Sequence, residues 1–507
     1  MSPNSPATES LLVFSDVHLG SDLDDRGQNA VRRSSSIDHD LISFLSHYRH
    51  QKPRGDRWRI VIAGDFIDFI GMTIVAGEER LDTEQTAEEH QHGIGNASDH
   101  ARLKLRRVGE RHRGFFDVLA GFVADGHALT MVHGNHDIEL HWDDVQSDLR
   151  QLLLAHARRQ RPGLDEAAFL ERVEFNPWFF YRKGLVYIEH GHQYDPYCAT
   201  EHVISPLSPL DPRRLSRGMT DILLRFVVRR TRGMREHGHE NAGLLDYVRF
   251  AVRLGFGGLT RLGVRFFSAV VEMFRLRRGH LSAAATSLRA DHDRKVLRLA
   301  KVSRIGIKRL KALISLQERP ITESIRGIMA SVLLDRLVLA LVAALALTAV
   351  SIVGIFYGYA LFALIGVFAG WALFHRHLCQ SRKVDAAENL ALKAPQLARL
   401  FPAAFVVMGH THVPVHLPVG QSSTYINLGS WAEDEEDADA AHGVRAARTH
   451  LVIHVHEGQP EAELLTWEAG LGPRKFLRAQ VDDVAAACAR SCPRGHRGIL
   501  FVDSTSG

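Results

Sequence analysis

Short apolar runs alternate with longer stretches of helical spacing over the first two hundred residues. Residues 11–15, 58–63, 128–132 and 185–189 are continuous, largely β-branched or aromatic runs that end at Gly, Asp or Asn, which predicts short buried strands. Residues 37–49 and 113–125 carry apolar positions at the period of a helix, so the pattern predicts a sheet covered by helices, an α/β arrangement. The strand-like signal returns at 404–408, 424–428 and 450–456, and residues 481–490 look helical again. One α/β core interrupted by a long insertion is therefore expected: 1–197 and 379–480 form the core, 198–330 a basic helical insertion, 331–378 an apolar hairpin, and 481–507 a C-terminal helix and tail. Residues 70–100 and the acidic run 433–439 are expected to be surface loops.

The insertion has two unlike parts. From Leu337 to Phe374 no residue carries a formal charge, about 38 positions, where one bilayer crossing takes about 20. Two spans joined near Phe356, Tyr357, Gly358 and Tyr359 are expected, with Arg326 and Arg336 at one end and Arg376, Arg382 and Lys383 at the other holding both ends in the cytoplasm. Ahead of it, residues 294–317 mix aliphatic positions with eight Lys or Arg, the composition of a basic amphipathic helix on an anionic membrane surface. Residues 221–278 pair Arg249 with Arg253 and Arg261 with Arg265 beside apolar faces, and fit a cap domain equally well. The cluster Arg229, Arg230, Arg232 and Arg235 has the charge to hold phosphate, but the spacing is loose.

Composition narrows the compartment more than the chemistry. A chain of 507 residues exceeds one core and predicts two or three units. Its formal net charge of +4 implies no global attraction to nucleic acid. Four cysteines make no disulfide framework, and residues 1–10 have neither a basic nor an apolar segment of a secretory signal, so a reducing compartment is expected.

The chemistry sits where the apolar runs end. Asp16-Val17-His18, Gly64-Asp65, Gly134-Asn135-His136-Asp137, His190-Gly191-His192 and Gly409-His410-Thr411-His412 supply carboxylates, imidazoles and one amide oxygen. Such a donor set, free of thiolate, suits two divalent cations, of manganese, iron or zinc, which can clamp a phosphoryl group between them. Asp65 is the candidate bridge. Asp16, His18 and His412 would complete the first ion's ligands, and Asn135, His190 and His410 the second's. His136 points away from its neighbour Asn135 and is free for substrate, with Asp137 expected to orient its imidazole and keep it cationic. His192 and Asp195 remain open between support for the ligands and plain loop.

Taken in this order, the five clusters resemble the calcineurin-like metallophosphoesterases, over roughly residues 11–195 and 400–470. The resemblance implies a four-layer α/β/β/α sandwich, the ligand set above, His136 as the acid that contacts phosphate, and a metal-bridging hydroxide as nucleophile. Gly64 to Phe69, the Gly-His-Thr-His-Val-Pro segment at 409–414 and Tyr425 to Trp431 are similar to the branch that holds UDP-2,3-diacylglucosamine pyrophosphohydrolase, which implies an acylated substrate at the cytoplasmic membrane. His136 stands where that branch has arginine, which favours general phosphoester hydrolysis. The expectation is thus a membrane-anchored, cytoplasm-facing phosphoesterase acting on a phosphoester or pyrophosphate, lipid-linked substrates included. A nuclease or cyclic-nucleotide phosphodiesterase is the alternative, and a catalytically silent membrane scaffold a more distant one.

Because Asp16 and Asp65 precede the apolar run and His410 and His412 follow it, a shared site requires an even number of membrane crossings.

Overall fold

The computed structural model describes residues 9–25, 32–33, 36–54, 57–231, 244–332, 334–357, 360–380, 385–420, 422–432, 435–436, 448–456 and 458–476. The expected helix at 481–490 lies outside them. Strands follow in chain order as β1 (Glu9–Phe14), β2 (Arg32–Arg33), β3 (Arg57–Ala63), β4 (Ala128–Val132), β5 (Val173–Asn176), β6 (Phe179–Arg182), β7 (Gly184–Glu189), β8 (Ala403–Met408), β9 (Val415–Val419), β10 (Ser423–Asn427), β11 (Glu435–Glu436), β12 (Thr449–His456), β13 (Gln459–Glu468) and β14 (Gly472–Lys475). All seven strands expected from the apolar runs are present, with ends displaced by a residue or two.

Two mixed sheets result, in the order β14-β13-β12-β1-β3-β4-β5 and β6-β7-β8-β10-β9. Alternation along each strand explains how they are buried. In β1, Leu11 and Val13 join a cluster with Val186, Ile188, Val407 and Ile426 of the second sheet, while Leu12 and Phe14 join a different cluster with Phe44, Phe116 and Leu149 from helices Ser36–His50, Arg113–Ala124 and Asp143–Gln160. The second sheet repeats this: Val407 faces the first sheet, and Val406 and Met408 face Leu390, Ala394 and Leu397 of helix Ala386–Leu400.

Parallel pairing decides where function can collect. β1, β3 and β4 run parallel to one another, and so do β7, β8 and β10, so the residues after Phe14, Ala63, Val132, Glu189 and Met408 all leave from carboxyl ends of parallel strands. Each of the five clusters begins there.

Helical regions depart from expectation in two places. Residues 294–317 do not form one surface helix but fall in two, Ala283–Val302 and Ile307–Leu316, separated by a turn in which Arg304 has φ 56. Their apolar side is not offered to a membrane: Val296, Ile305, Leu310 and Leu313 are buried with Tyr187, Tyr194 and Leu390. Nor is 70–100 a solvated loop. It holds helix Ala87–His92, closed by a capping box between Thr86 and Glu89, and Met72, Ile74 and Ile94 are buried. In the acidic run, Glu435–Glu436 pair with Arg32–Arg33, and the rest lies outside the described residues.

Beyond these, helices Leu334–Tyr357 and Ala360–Gln380 pack on each other and bury nothing else of note: Leu341, Leu345, Ile352, Leu361, Ile365 and Phe368 are all more than half exposed. By length and composition three helical stretches suit a membrane, Leu254–His280, Leu334–Val353 and Leu361–Leu378. Gly358 and Tyr359, expected at the hairpin's turn, lie outside the described residues.

The docking of the basic helices is directly testable. Leu310 is fully buried, so Leu310→Ala is expected to lower stability by about 2–5 kcal/mol, seen as an earlier urea midpoint; an unchanged midpoint would place this face in contact with something other than the core.

Candidate metal centre

Each ligand candidate is delivered by a tight turn at a strand end. Among the described residues seven that are not glycine have positive φ, and five of them are Asp16 (54), His18 (53), Asp65 (52), His410 (72) and His412 (58). The left-handed region costs a residue with a Cβ about 1–3 kcal/mol and persists only where surrounding contacts impose it. Here they do. Asp16 N donates to Gly64 O at 3.2 Å, and Val17 N and His18 N both donate to Asp65 O at 2.9 and 3.0 Å, so the first two clusters are laced together through their backbones. Glycine is required where clusters touch: a Cβ on Gly64 would lie 2.5 Å from the His190 ring, and one on Gly134 would lie 2.1 Å from Asp65 Oδ1.

The side chains then converge. His412 Nε2 lies 3.2 Å from Asp16 Oδ1, and His18 Nε2 3.7 Å from Asp65 Oδ2. His190 donates from Nδ1 to Ala63 O at 3.0 Å, which aims Nε2 at Asp65 Oδ2 (3.2 Å) and Asn135 Oδ1 (3.1 Å). Two triads of ligand atoms that could hold a cation, Asp16-His18-His412 and Asp16-Asp65-His190, share Asp16. All seven ligand candidates are thus gathered. His410 is the least direct: its backbone N donates to both Asp16 oxygens at 3.2 Å, while its ring lies 5.3 Å from that of His190 and turns Nε2 to Asp195 Oδ2 at 3.1 Å.

Asp137 does not orient His136. Its carboxylate is turned into the protein, where it accepts from Gly134 N (2.6 Å) and Phe66 N (2.7 Å) and so braces two ligand loops against each other. Adjacent side chains diverge, which is why Asp137 cannot reach the ring beside it. The partner of His136 is Asp68, whose Oδ1 meets Nδ1 at 2.7 Å. Asp68 Oδ2 in turn accepts from Arg229 Nη2 at 3.2 Å, and Arg229 Nη1 donates to Ser21 O at 2.9 Å, so an arginine of the insertion reaches the site. Arg232 and Arg235 lie outside the described residues. Asp68 stands three positions after Asp65, a spacing that does not distinguish it from Asp137 as the partner of His136. Nothing in the sequence singled out Arg229 from its neighbours as the one that would be buried here.

Burial controls the protonation of the centre. It opposes ionisation of Asp16 and Asp65, yet both are held below the usual carboxylate range, chiefly by the charge of His190. Burial likewise opposes the charge on His190, but Asp65 and Asp16 outweigh it and raise its pKa to about 9. His18 goes the other way, pushed down to about 3 by burial and by His136, so its ring is a neutral donor at physiological pH. Asp137 is raised to about 7 by burial and by Asp65, so of Asp16, Asp65, Asp68 and Asp137 it is the most easily neutralised. Asp68 is held low against its burial by His136 and Arg229.

Carboxylates held in the ionised form, a neutral His18 and an amide oxygen could hold a hard or borderline divalent cation. Comparison with protein-family models and with curated proteins finds no match.

At this centre a proton on His190 would compete with a cation. Its pKa of about 9 means that at pH 8 the ring is mostly protonated, whereas a ligand must be neutral. Manganese binding at pH 8 is therefore expected to release about one proton per chain, and affinity should climb as pH rises toward 9 and level off above it. Calorimetry in two buffers of different ionisation enthalpy reads this release; binding without proton release would remove His190 from the ligand set.

Proposed function

We propose that this chain is a dinuclear metal-dependent phosphoesterase of the calcineurin-like kind, anchored in a membrane with its site facing the cytoplasm, and hydrolysing a phosphoester or pyrophosphate bond. The observation that carries this is the convergence of five sequence clusters, spread from Asp16 to His412, on one buried pocket with two overlapping ligand triads. The four-layer α/β/β/α sandwich is part of the same reading, supported by the apolar cluster shared between the two sheets and by the separate helix-facing cluster on each.

Two divalent cations held by Asp16, His18, Asp65, Asn135, His190, His410 and His412 would supply Lewis acidity and a nucleophilic water at neutral pH. The protein's own part is positional. Asp68 engages Nδ1 of His136 and so sets the orientation of the ring, whose Nε2 would donate a proton to the oxygen that departs from phosphorus. Arg229 keeps Asp68 ionised and in place. Gly64 and Gly134 let the ligand loops approach, and Asp137 ties the second loop to the third.

The bilayer assignment rests on the hairpin. Large aliphatic and aromatic side chains exposed along both of its helices are stable only in an apolar surrounding. The Asp16 and His410 contact across it demands an even number of crossings, which two spans satisfy. A lipid-linked substrate is the natural one for a site tethered there. Two arginines of the insertion are withdrawn from any nucleic acid: Arg225 and Arg229 are buried, donating to Gly93 O, Ile94 O, Ser21 O and the carboxylates of Glu88 and Asp68.

With manganese, the detergent-solubilised chain is expected to hydrolyse at least one of an aryl phosphate, an aryl phosphodiester and a nucleotide-sugar lipid. Asp65→Ala should abolish the turnover, and Asp68→Asn should lower kcat about 10–100-fold with metal content retained. No hydrolysis of any of the three, with two cations bound, would sink the phosphoesterase reading; wild-type kcat in Asp68→Asn would remove the Asp68–His136 pair from it.

A further inference from the structure

We infer that helix Leu244–His280, from its kink at Gly255 onward, lies flat on the anionic surface of the bilayer, one apolar side docked to the protein and the other set into lipid. This rests on the membrane anchorage proposed above.

The helix is apolar on two opposite sides. At about 3.6 residues per turn, Leu262, Phe266, Ala269, Met273 and Leu276 fall on one side and pack into a cluster with Met219, Ile222 and Phe226. Phe256, Val264, Phe267 and Val271 fall on the other and are open, Phe256 at 85% and Phe267 at 70% exposure. Arg275 and Arg278 continue the open side at the C-terminal end. A helix with one side satisfied by protein and a second equally apolar side uncovered needs another apolar contact.

Length and composition would let this stretch cross a bilayer. Two observations say that it does not. A third crossing would make the count odd and put His410 and His412 on the far side from Asp16, yet His410 N lies 3.2 Å from that carboxylate. The docked side also ties the helix to the segment that carries Arg229, where Arg265 Nη1 donates to Thr231 Oγ1 at 3.0 Å, and to the turn Ile321–Glu323, where Arg277 Nε donates to Glu323 O at 3.2 Å. An element held to the catalytic unit along its length lies beside that unit and so stays on its side of the bilayer.

Lipid is the occupant that the surroundings favour. Helix Ile325–Ser331, whose Ile328 is buried in the docked cluster, touches both this helix and the first helix of the uncharged hairpin, so the helix is held next to the segment that enters the bilayer. Arg261, Arg275 and Arg278 are exposed along its flank and end, matched to anionic headgroups. The stretch from Phe256 to Arg278 runs about 33 Å, long enough to hold the catalytic unit at a fixed attitude to the membrane. Its link through Thr231 to Arg229 joins that attitude to the Asp68–His136 pair.

Spin labels at Phe256→Cys, Val264→Cys and Phe267→Cys, and at Leu345→Cys and Ile365→Cys in the hairpin, each in the full chain with its four native cysteines replaced by serine, would be read for depth. The chain is placed in phosphatidylcholine vesicles with and without phosphatidylglycerol. The three helix labels are expected at one shallow depth, with oxygen accessibility above that of a water-exposed site, and the hairpin labels deeper. Helix labels whose depth changes steadily through the midplane would overturn the inference in favour of a span. Helix labels in water, or shielded from both water and lipid, with hairpin labels still deep, would overturn it in favour of a bare face or one covered by protein, such as a second copy. Hairpin labels in water would overturn the anchorage itself, and this inference with it.

Discussion

Two carboxylates, Asp16 and Asp65, are buried together at the meeting point of the two sheets, and the rest of the site is arranged around neutralising them. Their ligand oxygens lie within 4.8 Å of each other and of His190. At about 4 Å and an effective dielectric of about 20, two like charges repel by about 4 kcal/mol, more than the left-handed backbone costs at any one residue. Positive charge and N–H dipoles must therefore come from every neighbouring loop. His190 brings the charge, His410 N and His136 N bring the dipoles, and divalent cations would complete the compensation. The strained turns at the strand ends are the local consequence of aiming so many groups at one point.

The same logic extends outward to the insertion. Asp68 is buried beside His136 and is itself an anion in need of a partner, which Arg229 provides from a segment with no counterpart in the core. The insertion is thus built into the site electrostatically. Glu88 is held in the same manner, lowered against its burial by Arg217 and Arg225, so the region 70–100 and the insertion are clamped by paired charges that would be expensive to separate. This explains why 70–100 is not a loose surface loop.

Apolar surface in this chain has three different fates. The faces of Ala283–Val302 and Ile307–Leu316 close on the second sheet's outer cluster, the hairpin is covered by nothing in the described protein, and the helix ending at His280 is divided between the two. The hairpin helices are far more apolar than the basic Ala283–Val302, and the segments differ as well in what stands opposite them.

Strand positions were legible in the chain because a buried strand must be a continuous apolar run, and the clusters that meet at the candidate centre were legible because few residue types can hold a metal. Local spacing also carried the hairpin, since 38 uncharged positions leave little else. Which carboxylate serves His136 was not legible: Asp137 is nearer in sequence, but its side chain leaves on the other side of the backbone, and only the fold brings Asp68 across from β3. The selection of Arg229 among adjacent arginines, the engagement of Asp195 with His410, and the inward face of Leu310 were likewise decided by tertiary structure. Each depends on the direction of a side chain relative to a distant element. Periodicity and composition define which residues share a face, and contact between faces is set only when the sheets pair and the helices dock.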